Sequence, residues 1–163
     1  DSRAHATGRG QAAVASLKKS LKEALLAALK VNPEAAIEVC ATQAPALATR
    51  ASTGGVVVGR SAARLRNPAN APRPWVAEAM KGLAATPKDG QSVVVELGRG
   101  KIGYAETILV QPMCLTCHGP ALAEPVAKAI AARYTADQAV GFQAGDFRGV
   151  FWAEVGPLEQ ERR

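Results

Sequence analysis

The stretch SVVVELGRGKIGYAETILV, residues 92–110, decides the fold. Valine, isoleucine, tyrosine and threonine crowd its two halves, and the GRGK between them holds the glycines that a tight turn needs. It reads as a hairpin, with one strand from Ser92 to Leu97 and another from Ile102 to Val110. Working outward, Val56, Val57 and Val58 after STGG predict a short strand. Near the C-terminus, GDFRGVFWAEV predicts a turn and a last strand through Val150, Phe151, Trp152 and Val155.

Helical patterns lie ahead of and between these runs. Val14, Leu17, Leu21, Leu25 and Leu29 recur three or four apart, with Lys18, Lys19 and Lys22 on the other side. Asn32, Pro33 and Glu34 combine a capping side chain, a first-turn proline and an acid at the positive end, so a second helix starts there. Its apolar stripe runs Ile37, Cys40, Ala44, Leu47, and Pro45 is expected to kink or interrupt it, because proline lacks a backbone donor and clashes one turn back. Further helices are predicted over 75–83 and 126–134, RNPANAPRP is an extended turn-rich loop, and TADQ at 135–138 has capping-box spacing. Helices preceding a mostly antiparallel set of strands make an α+β domain. The expectation is one domain over residues 11–163 behind a flexible tail, 1–10, that is small, polar and glycine-punctuated.

A chain of 163 residues can bury a core without disulfides. Aromatics make up only 4%, so aliphatic side chains must fill that core, and a large prosthetic group would suit the deficit. The net charge of +6 favours an anionic partner or surface, but the charge is dispersed and no aromatic-interleaved basic motif occurs, which argues against nucleic acid. No apolar run has the length of a membrane span, and the opening DSRAHATGRGQ has neither the charged nor the apolar region of a leader. A mature chain, with its signal peptide already removed, is the expectation.

Directly after the hairpin, PMCLTCHGP at 112–120 holds two of the three cysteines and one of the two histidines. Cys114, Cys117 and His118 form C-x-x-C-H, the attachment signature of c-type haem. Two thiols three positions apart reach the vinyl groups on one edge of the porphyrin, and the adjacent imidazole is delivered beneath the iron. A zinc site would need four convergent ligands, for which consecutive Cys117 and His118 are poorly placed. A thioredoxin-like pair needs a helix after it to activate the thiol, and Gly119 and Pro120 interrupt that helix. The prediction is one covalent haem with His118 as proximal ligand.

Spacing alone leaves the opposite face of the iron open. His5 lies in the expected tail, Met113 adjoins the attachment motif and reaches the far side poorly, and no methionine follows His118. Met80, in the helical pattern near Trp75 and Leu83, and Cys40, on the stripe of the second helix, are the remaining candidates. Either residue type also serves as ordinary core filling.

Four segments, AIEVCATQAPALATRAS, VGRSAARLRNPANAPRPW, CLTCHGP and GFQAGDFRGVFW, together resemble the PAS-like c-type haem domains of cyanobacterial cytochrome-like proteins and bacterial periplasmic sensor modules. The likeness runs from about Asn32 to the last strand. It implies a PAS-like fold, one haem on Cys114 and Cys117, His118 as proximal ligand and Cys40 as the second axial ligand. Arg73 and Val76 depart from the pattern, standing where the family usually carries acids, so a local ion pair made by those acids is not expected. Arg60 and Arg66 flank SAARL within the likeness, and a guanidinium pairs well with a carboxylate, so both are candidates to hold a haem propionate.

Thiolate ligation favours ferric iron and predicts a lower reduction potential than His/Met ligation gives. The reading is a low-potential periplasmic electron-transfer protein with a redox partner protein. The alternative is a haem-based sensor in which reduction weakens the thiolate bond and opens a site for CO or NO. Beyond His5 no distal histidine is available, so an enzyme is not expected.

Overall fold

The computed structural model describes residues 2–157, apart from the side chains of Met113 and Thr116. The hairpin is present as strands β2 (Ser92–Gly98) and β3 (Lys101–Leu109). Its loop is Arg99–Gly100, both at positive φ (54° and 74°), the backbone of a type I′ turn whose twist matches the strands. β1 (Val56–Ser61) and β4 (Phe147–Val155) complete an antiparallel sheet in the order β1-β4-β3-β2. The last strand thus enters the middle of the sheet, Val155 lying opposite both Val56 and Ile102. With the helices this is the expected α+β architecture, and it is consistent with a PAS-like domain.

Strand alternation sends neighbouring side chains to opposite faces. On one face Val56, Val58, Ile102, Tyr104, Ala153 and Val155 pack against Val14, Leu17 and Leu21 of α1 (Ser2–Leu29). On the other, Ala105, Val150 and Trp152 pack against Val76, Met80 and Leu83 of α4 (Pro74–Ala85). No helix is long and apolar enough to cross a membrane among the described residues.

Two expectations are corrected. Residues 2–10 are not a tail: α1 begins at Ser2, although two glycines in its first turns cost about 1 kcal/mol each in helix propensity. Packing overrides that cost, since Gly10 is buried tightly against the sheet, a Cβ there falling 3.0 Å from Val155 and 3.3 Å from Tyr104. Arg9 also donates to Gly156 O at 3.0 Å and to Gly54 O. TADQ starts no helix, and its Asp137 is used in the site described below. In the loop before α4, Arg73 meets Glu154 at 2.7 Å and lies over the Trp152 ring, an ion pair distinct from one made by the family's acids.

Glu154 also accepts from Trp75 Nε1 at 2.7 Å. Burial raises its pKa, but the Trp75 and Arg73 hydrogen bonds and the Arg73 charge outweigh it, and the carboxyl is held below its ordinary 4.5. A depressed acid stabilises the fold above the unfolded value and loses that contribution as pH falls through the folded one. Glu154→Gln is therefore expected to cost about 2 kcal/mol at neutral pH, the scale of hydrogen bonds to a charged group. Thermal melts across the acid range should show the gap between variant and wild type closing below pH 4.5.

Trp75 and Trp152 meet edge to face, 6.3 Å between centroids, and each covers a strand glycine. A Cβ on Gly103 would come 2.7 Å from the Trp75 ring. Gly103→Ala gains up to about 1 kcal/mol through the unfolded chain, whereas overpacking costs about 1–3 kcal/mol. Net destabilisation is expected because the indole is pinned by Glu154, and urea denaturation checks it.

Candidate functional site

Beyond β3 the chain makes a single 3-10 turn (Pro112–Cys114) and the one-turn helix α5 (Leu115–His118). Gln111 N–H points to Cys114 Sγ at 3.4 Å, fixing the first thiol at the head of the turn. Helix α5 stops at Gly119, where a Cβ would lie 2.5 Å from Leu115 O. The following loop is laced underneath: Phe142 N–H bonds His118 O at 2.8 Å and Gly141 N–H bonds Gly119 O at 3.0 Å. Cys117 packs against Ile37, Val126 and Ile130, joining α5 to α2 (Pro33–Glu38) and α6 (Glu124–Arg133).

The imidazole of His118 is oriented by two contacts. Nδ1 lies 2.7 Å from Ala139 O, and because a carbonyl only accepts, Nδ1 carries the proton and Nε2 a free lone pair. Phe142 meets the ring edge to face at 6.2 Å. Burial, followed by the Arg148 and Arg66 charges, lowers the His118 pKa to about 4, so the ring is neutral at physiological pH. A neutral imidazole with a fixed tautomer is the form that ligates a metal.

Cys40 comes to the same region through an interruption of its helix. Between α2 and α3 (Ala44–Ala51) the chain widens into a π turn, Val39–Gln43, with Ala44 N–H bonding Val39 O. Pro45 is the physical cause, since its ring would clash with the carbonyl four residues back in a regular helix. Cys40 is half-buried and lines a cavity of about 170 Å³ with Leu17, Ala44, Arg60, Asn67 and Trp152. It lies near enough to Cys117 for the two thiolates to repel. Burial raises the Cys117 pKa, more than the Arg66 charge lowers it. Among the described residues no cluster of three or more His, Cys, Asp or Glu side chains is placed to hold a metal ion, as a zinc site would require.

The remaining predicted residues fall as follows. Met80 is 6% exposed inside the apolar cluster of α4, the place of a core-filling residue. His5 is exposed on the first turns of α1, and the Met113 side chain lies outside the described residues. Arg60, on β1, lines the Cys40 cavity and makes no hydrogen bond or ion pair with the described residues. Arg66 has a different place from the one expected. It is 8% exposed and spends Nε on Asp137 at 3.1 Å and Nη2 on Ala139 O at 3.0 Å and on Cys117 O.

Sequence reasoning missed Asp137, Ala139, Phe142, Arg64 and Arg148. Arg64 stacks on Phe142 with Cζ 4.0 Å from the ring centroid, and Arg148 lies at 5.3 Å while donating to Arg64 O. Burial lowers the Arg148 pKa to about 10, with the Arg60 and Arg66 charges next and Asp137 opposing. The guanidiniums of Arg60, Arg64 and Arg66 thus all bear on that of Arg148.

No curated protein matches the chain significantly. Among solved structures it is similar to the crystal structure of the cyanobacterial haem protein Tll0287, with 24% identity, covering 88% of this chain and 92% of that one, and a TM-score of 0.61. That likeness supports the fold, and the sequence profile of the family described as Tll0287-like matches residues 4–155. The chain therefore belongs to the Tll0287-like family.

Proposed function

We propose that this chain is a monohaem c-type cytochrome of low reduction potential, with haem held through Cys114 and Cys117 and ligated by His118 and Cys40. The observation that carries the reading is the His118 tautomer: Nδ1–H is taken by Ala139 O, so Nε2 is free on the very turn that presents both thiols. The other residues fit such a group. Haem carries two propionates, and Arg60, Arg64 and Arg148, none of them in an ion pair with the described residues, are their proposed partners. Kinship with a family that includes a haem protein supports haem binding.

When bound, the haem supplies a one-electron iron couple. His118 would offer a neutral nitrogen held in one orientation, and Cys40 would offer thiolate charge that favours the ferric state. With His118 and Cys40 both proposed to hold the iron, the role would be that of a carrier exchanging electrons with a protein partner, not that of an enzyme. Bacteria attach haem to C-x-x-C-H outside the cytoplasm, which puts the proposed carrier in the periplasm. One observation favours the sensor reading as a second possibility: Cys40 sits on a π turn, a feature that recurs at functional sites and loosens helical register. Release of Cys40 on reduction would open the iron to CO or NO.

The haem reading is tested by a pyridine haemochrome spectrum of denatured, acid-washed protein. Haem retained with the spectrum of two saturated vinyls supports it, and a colourless polypeptide refutes it. Carrier and sensor are separated by adding CO to the reduced protein: an unchanged spectrum supports the carrier, and a CO complex supports the sensor.

A further inference from the structure

One carbonyl oxygen at the centre of the site serves two donors. Ala139 O accepts from His118 Nδ1 at 2.7 Å and from Arg66 Nη2 at 3.0 Å. The guanidinium is fixed there, buried, with Nε on Asp137 Oδ1 at 3.1 Å and Nη2 also reaching Cys117 O. Asp137 Oδ1 in turn accepts Ala139 N–H at 2.9 Å, so the carboxylate is anchored to the same residue whose carbonyl is shared. Arg66, Asp137 and Ala139 form a closed unit behind the imidazole.

An imidazole whose Nδ1–H meets a strong acceptor gains imidazolate character and donates more strongly through Nε2, which favours ferric iron. A carbonyl already bonded by a guanidinium has less electron density to offer. Arg66 therefore weakens the pull on the His118 proton, and Asp137, by partly neutralising Arg66, moderates that effect. We propose that Arg66, with Asp137, is a positioning residue that sets the reduction potential of His118-ligated iron through the shared Ala139 carbonyl. The proposal rests on the haem reading above.

The test uses the haem-loaded wild type, Arg66→Met, Arg66→Lys and Asp137→Asn, with a haemochrome spectrum of every sample before redox titration and proton NMR of the His118 ring N–H. Arg66→Met is expected to lower the potential by about a tenfold change in the redox equilibrium, about 59 mV for one electron, and to move the ring proton downfield. Asp137→Asn should shift both readouts the opposite way, and Arg66→Lys should stay closer to wild type. A purely structural role would not give opposite signs. Both charge variants shifting the potential in one direction overturns the proposal, as does a moved potential with an unmoved ring proton, which is a through-space charge effect. If Arg66→Met does not fold, Asp137→Asn and Arg66→Lys carry the comparison. A wild type without haem removes the reading and the proposal together, and the haemochrome tells that from failure of the proposal alone.

Discussion

Cys40→Ala is expected to raise the reduction potential by on the order of 0.2 V, a modest part of the roughly 0.8 V that axial ligation spans among haem proteins. The thiolate is the only anionic donor proposed for the iron, and its negative charge stabilises the ferric form far more than the ferrous one. The fold should survive the change, because Cys40 is half-buried beside a cavity and its π turn is imposed by Pro45, not by the thiol. Redox titration against dyes of known potential checks the shift. An unaltered midpoint would return Cys40 to the role of a small apolar side chain.

His118→Gly is expected to abolish the low-spin spectrum while Cys114 and Cys117 still hold whatever haem is attached. The imidazole is the sole nitrogen ligand the turn presents, and Phe142 and Ala139 leave a shaped gap when it is removed. Added imidazole should therefore restore much of the low-spin absorbance. A spectrum indifferent to the substitution would exclude His118 as the proximal ligand, and loss without imidazole rescue would point to collapse of the gap.

The parts of the site that were legible beforehand are those written in local spacing. Cys114, Cys117 and His118 fall within five positions, and the Asn32–Pro33 cap and the stripe through Cys40 follow helical periodicity. The hairpin around Arg99–Gly100 was legible for the same reason. What escaped is non-local. Arg66 and Asp137 are 71 positions apart, and no pattern announces that Ala139 contributes a carbonyl, since alanine offers no functional side chain to notice. Arg148 was visible only as one cation among 20, and its meaning comes from burial beside three others. The helix over residues 2–10 was hidden by its glycines, because helix propensity is local whereas the fit of Gly10 onto Tyr104 and Val155 is tertiary. The closeness of two indoles to Gly59 and Gly103 is likewise tertiary.

Low-temperature electron paramagnetic resonance of the ferric protein, run beside Cys40→Ala, tests the proposed coordination most directly. A low-spin signal with the compressed g-spread of thiolate ligation, lost on substitution, is the predicted result. The same signal from both proteins would contradict His118/Cys40 ligation and leave the second axial position to another group.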